Sequence, residues 1–255
     1  MFRSSCSNFL SLVLVALFGG PLACLDTIEP GEGQDPLPEN DSGRRDLTFD
    51  FSLAVSDWTG SYADFAMGQD PKDIQFVVER RMLPASTDRE SGSLFLSSTN
   101  VSDDLFTFIS YPVGRLKPNT PYAITFEMEL ASNAPRRCAS TLGEPGEDVF
   151  LKVGASLAQP LPVEDANTQR VRLSVDKGNQ SLGSTSAQVL GDISNELEEC
   201  FNTPYRIITR DNLGNPLRIT TNDEGRVWLF VGTESDYMGT TELYYDTLRV
   251  LLEPS

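Results

Sequence analysis

Histidine is absent from all 255 residues. That removes Ser-His-Asp and Cys-His nucleophilic catalysis and any zinc site built on imidazole. Two carboxylate chemistries survive the loss, paired-acid catalysis and oxygen-only calcium binding. Basic residues are also few, 20 Lys and Arg against 37 Asp and Glu, for a net charge of −17. A surface of that sign repels phosphate backbones, so nucleic acid is excluded as a partner. It suits a soluble face in salt, or one that meets cations. No long stretch carries helical periodicity, which argues against parallel βαβ architecture.

The one long apolar run is Phe9 to Phe18. It is about half the roughly 20 residues a membrane-spanning helix needs. Arg3 precedes it, and Gly19, Gly20, Pro21, Leu22 and Ala23 follow. A positive start, a short apolar core and small residues before a break describe a secretory signal peptide over residues 1–23. The segment Leu22-Ala23-Cys24 resembles the lipobox of bacterial lipoproteins, in which the cysteine is lipidated after cleavage. Pro21 stands where that family usually has Leu, Val or Ile. The resemblance implies a lipid on Cys24 and a membrane partner. Leu25, rather than Asp, follows the cysteine, which by the family's sorting habit implies the outer membrane or cell surface. Plain secretion, or a soluble periplasmic life, is the alternative. Cleavage takes the net charge to −18. Residues 24–45, rich in Pro, Gly and acids, read as an extended tether, and residues 46–255 as the folded domain.

Four cysteines are present. Cys6 leaves with the expected signal and Cys24 is the lipid site that the resemblance implies, so Cys138 and Cys200 remain as an even pair in a disulfide-permissive compartment. A loop of that length is worth about 4 kcal/mol in the chain-entropy model. The body reads as short strands. Tyr122, Ile124, Phe126, Met128 and Leu130 alternate with Ala123, Thr125, Glu127 and Glu129. Shorter alternations run through 149–153 and 170–175. Further strands are expected over 47–51, 74–78, 93–97, 105–111, 205–209, 217–221, 227–232 and 243–252. Gly, Pro and Asn turns separate them, and one short helix is expected near 192–200. The pattern predicts an all-β fold, an antiparallel β-sandwich or jelly roll.

Three segments resemble the galactose-binding-like jelly roll shared by many carbohydrate-binding modules. They are Phe49-Asp50-Phe51-Ser52 with Asp57-Trp58-Thr59-Gly60, Leu116 to Tyr122, and Thr241 to Val250. Their order agrees with that fold over residues 46–253. The chain is also similar to a group of bacterial lipoproteins of like length, through Ser102 to Phe106 and Asp176 to Ser181. The jelly-roll resemblance implies a structural calcium held by Asp50 and Asp246, although Thr247 stands where many members have a second acid. It also implies a glycan partner. Sugars stack on aromatic faces while rim groups take the hydroxyls. Candidate ligand residues are therefore Trp58, Tyr62 and Tyr237, with Asp103, Asp104, Asp176 and Asn179 as polar partners. A tryptophan placed like Trp58 is more often a core plug than a platform.

The leading expectation is a non-catalytic, membrane-anchored, exported module that binds a glycan or polysaccharide. One alternative is a carboxylate-dependent glycoside hydrolase or lyase. Glu127 and Glu129 share a strand face, although Ala131 and Ser132 follow where hydrolase jelly rolls continue the acid series. The other is an envelope scaffold that binds protein. Exposed aromatics in a row on one sheet would favour the glycan.

Overall fold

A computed structural model describes residues 41–53, 57–102 and 104–255. The signal segment, Cys24 and most of the tether lie outside the described residues, as does Asp103. The described chain forms an antiparallel β-sandwich, and the disulfide Cys138–Cys200 is present with Cα atoms 5.4 Å apart.

The centre of one sheet is the long alternating segment, strand β7 (Pro121–Ser132). It pairs with the final strand β15 (Thr240–Pro254). Each of the two has two partners on its far side. Beside β15 lie β5 (Gly92–Thr99), over 240–245, and β1 (Arg45–Asp50), over 247–252. Beside β7 lie β12 (Arg206–Asp211) and β13 (Leu217–Thr220). Strand β4 (Val77–Met82) completes this seven-stranded sheet on β5. The change of partner on β15 falls at a bulge at Asp246, whose carbonyl accepts from the Phe51 amide at 3.1 Å. On β7 the gap between β12 and β13 is filled by a side chain. Asn212 accepts from the Phe126 amide at 2.6 Å and donates to the Ile124 carbonyl at 3.2 Å, as a strand backbone would.

The second sheet has five strands in the order β11 (Ala187–Asp192), β8 (Val149–Ser156), β14 (Val227–Ser235), β6 (Leu105–Val113), β2 (Thr59–Ala63). Period-two alternation sends Phe126, Met128, Leu130, Leu248 and Val250 from one sheet against Leu151, Val153, Leu229, Val231 and Ile109 from the other. Truncating one of these to Ala costs about 2–5 kcal/mol.

A third, small sheet orders β3 (Phe65–Ala66), β10 (Arg170–Leu173) and β9 (Pro162–Asp165). With loop 174–186 it borders a second apolar cluster of Ala63, Phe106, Phe108, Phe230, Ala187 and Leu173. This cluster draws on the side of the five-stranded sheet that faces away from the main core.

Three expectations are corrected. Residues 41–45 are not tether, because Arg45 starts β1 and the Gly43 carbonyl accepts from the buried Tyr122 hydroxyl at 2.8 Å. Composition cannot show this, since the contact is made by backbone. Segment 192–200 is not helical. Its backbone groups bond outward instead, with the Ile193 amide donating to Gly146 and the Asn195 amide to Ala134. Segment 74–78 splits between one helical turn, α1 (Pro71–Ile74), and the start of β4, because Asp70 caps the turn and Pro71 opens it.

Candidate functional site

The turn that carries the chain from β14 in the five-stranded sheet to β15 in the seven-stranded sheet bears Tyr237. Asn100, itself buried, clamps the turn, donating from its side chain to the Ser235 carbonyl at 2.8 Å and from its amide to Gly239 at 3.0 Å. The Tyr237 ring folds back over Gly239, where a Cβ would lie 2.3 Å from the ring. A side chain at this position would have to push the ring aside. In front of Tyr237 opens a cleft of about 260 Å³. Ala134, Pro135, Pro145 and Ile193 line it with apolar surface, and Asn133, Asn202, Thr203, Thr240, Thr241 and Glu242 with hydrogen-bonding groups.

The disulfide builds one wall of the cleft. Cys200 lines it, and the bond to Cys138 pins loop 200–203 to loop 133–138. Next to Cys200 stands Phe201, 88% exposed, the most exposed large apolar side chain among the described residues. Glu242 leads from the cleft onto the outer face of the seven-stranded sheet. There it accepts a hydrogen bond from the Tyr205 hydroxyl at 3.3 Å. Tyr205 packs edge-on against Tyr244 at 5.1 Å, and Tyr244 lies 4.8 Å from Phe95, which Arg81 covers. Burial and then the Glu242 charge push the Tyr205 phenol pKa up, so it stays a hydrogen-bond donor. The result is a polar cleft with half-exposed tyrosines at its back and along its rim.

Of the residues proposed from sequence, only Tyr237 lines this cleft. Trp58 is buried at 8% exposure among Phe49, Phe51 and Tyr111, so it is a core plug and not a platform. Tyr62 is half-buried against Phe65 and Phe76. Asp176 and Asn179 are exposed but serve turns, Asp176 accepting from the Gly178 amide and Asn179 bridging to Leu182 through backbone. Phe201, Tyr205, Tyr244 and Glu242 were missed. Strand alternation around Leu243 and Tyr245 could have turned Tyr244 outward, and an aromatic beside a loop cysteine could have marked Phe201.

Asp50 and Asp246 adjoin but form no calcium cage. Arg89 pairs with the Asp246 carboxylate, and the Asp50 carboxylate accepts from the Ser52 amide at 2.9 Å. These donors fit a guanidinium rather than an ion that wants six to eight oxygens. Glu127 pairs with Arg249 at 2.8 Å and Glu129 with Arg89 at 2.9 Å. They neighbour each other along one strand instead of facing across a cleft.

Asp104 has a different setting. With Asp64 and Glu234 it makes a three-carboxylate group beside the five-stranded sheet, dense enough to suggest a metal. Four basic side chains already serve it. Lys177 bridges Asp64 at 2.9 Å and Glu234 at 2.5 Å. Lys152, fully buried, pairs with Glu234 and donates to the carbonyls of Lys177 and Leu182. Arg170 and Arg172 reach Asp104 at 3.3 and 3.5 Å. The Lys177 ammonium sits where a cation would, so the donors fit a buried ion network joining the small sheet and its loop to the five-stranded sheet. Burial and then the neighbouring Asp64 push the Asp104 carboxyl up to about 6.

No protein-family model matches the chain, and no curated protein sequence matches it. Solved structures do. The CBM22-1 xylan-binding domain of Paenibacillus barcinonensis Xyn10C is 10% identical, with 82% of this chain and 94% of that one covered and a TM-score of 0.39. A family 11 carbohydrate-binding module of a Clostridium thermocellum cellulase is 9% identical, covers 83% and 95%, and has a TM-score of 0.37. A carbohydrate-binding module that recognises mannan is 14% identical, covers 83% and 99%, and also has a TM-score of 0.37. The likeness is one of chain architecture and assigns no ligand.

Proposed function

We propose that this protein is an exported, membrane-anchored, non-catalytic module that binds a glycan at the Tyr237 cleft. The observation that carries the proposal is the make-up of that cleft. An aromatic face stands against six polar side chains, five of them neutral Asn or Thr. Sugars present apolar C–H faces and hydroxyl rims, and this pairing of surfaces suits both. Phe201, Tyr205 and Tyr244 extend the aromatic surface beyond one sugar ring, toward a chain. The lipobox-like Cys24 and the acidic segment after it support an outward-facing domain held at a membrane.

A glycan array probed with the whole protein tests this reading. The expected result is selective capture of a small set of related oligosaccharides. Uniform absence of binding would overturn it and favour a protein-binding role.

A further inference from the structure

The cleft has one charged side chain in its lining, and that charge is not neutralised. Glu242 makes no ion pair among the described residues, and its polar partner is the neutral Tyr205 hydroxyl. The segments framing the cleft add more acid. Loop 142–148 runs against the Tyr237 turn, with the Asp236 amide donating to Asp148 at 2.8 Å and the Met238 amide to Leu142 at 2.7 Å. It carries Glu144, Glu147 and Asp148, none in an ion pair with a Lys or Arg side chain among the described residues, while the Glu147 carboxylate accepts from the Arg137 amide at 2.7 Å and that of Asp148 from the Glu144 amide at 2.7 Å. Glu144 and Glu147 are close enough to share a hydrogen bond, which pushes the Glu144 carboxyl above its ordinary range. The facing basic residues are Arg136 and Arg137, and the Arg137 guanidinium is drawn off to Glu198 at 2.8 Å.

An aromatic ring beside carboxylates whose charge no ion pair offsets attracts a cation twice over, through the face of the ring and through charge. A uronate or sulfated sugar would meet the same field as repulsion. We infer that the cleft selects sugars bearing a free ammonium group, such as de-N-acetylated hexosamines, over N-acetylated or acidic ones. This rests on the glycan reading above and narrows it to a substrate class.

The test is calorimetric titration of the whole protein with three probes: a β-1,4-linked glucosamine oligomer, its N-acetylated counterpart and an oligogalacturonate. It is run at slightly acid pH and low salt. The ammonium oligomer is expected to bind about fivefold tighter than the N-acetylated one, with the uronate weakest. Glu242→Gln should close the gap, and 0.5 M salt should narrow it. Equal binding of the two amino-sugar oligomers would overturn the inference and leave the glycan reading standing. So would a gap that persists in both Glu242→Gln and Tyr237→Ala, because it would then be general attraction to an acidic protein. Failure of all three probes together with an empty glycan array would remove both.

Discussion

Asp104 shows how a residue's role depends on what surrounds its carboxyl. In the sequence it is half of a double acid before a strand, a candidate polar partner for a sugar. In the structure Asp64, Arg170 and Arg172 surround it, and burial pushes its pKa to about 6. Because the folded value lies above the unfolded one, the native state holds a proton that the unfolded chain has shed. Stability from this group therefore rises as pH falls from above 6 toward 4, and is lost as pH rises through 6. Comparing urea melts of the wild type and Asp104→Asn should show the wild type gaining on the order of 2 kcal/mol relative to the variant between pH 8 and pH 4. Parallel pH profiles would show that Asp104 ionises freely. Lys152 makes the same point from the other sign. Burial lowers its ammonium pKa and the Glu234 carboxylate opposes that, a balance invisible in the alternation of Val149, Leu151 and Val153 around it.

At the scale of elements, the segment between β11 and β12 is stapled by one covalent bond, Cys138–Cys200. Loop 193–205 is neither helix nor strand, and it supplies Cys200, Asn202 and Thr203 to the cleft. The disulfide closes a separation of 62 residues, worth about 4 kcal/mol in the loop-entropy model. Replacing both cysteines by serine should lower the stability by that order in a denaturant melt. It should also weaken glycan binding at temperatures where the variant stays folded, because a wall of the cleft loses its staple. Binding at full strength in a folded variant would separate the loop from the site. The strands themselves were legible, since β7, β8, β14 and β15 bury one side-chain face and alternation reports burial directly. The bond between Cys138 and Cys200 was legible from compartment and parity. The cleft was not. It joins the sheet-to-sheet turn at 237, loop segments at 133–135 and 200–203 and a strand start at 240–242, and no local pattern encodes that convergence. Trp58 misled for the opposite reason, because an aromatic in a polar turn looks exposed until Phe49 and Tyr111 close over it.

At the scale of the whole molecule, the proposed function joins an acidic sandwich to an N-terminal export signal. On the proposed reading the mature chain begins at Cys24 and carries acyl chains, enough together for firm anchoring where one alone is marginal. Mass spectrometry of the N-terminal peptide from cells should find lipid mass on Cys24. An unmodified peptide beginning there, or a different start, would place the protein among secreted or periplasmic ones and leave the sandwich unaffected. The account as a whole turns on the cleft. It is tested most directly by measuring the affinity of the best array oligosaccharide for the wild type and for Tyr237→Ala, with melting temperature as the control. The ring is half-exposed on the turn between β14 and β15 and packs in part against the main core, so its loss should lower melting modestly, leave the protein folded, and weaken binding roughly tenfold or more. Undiminished affinity in the folded Tyr237→Ala protein would contradict the assignment of this cleft.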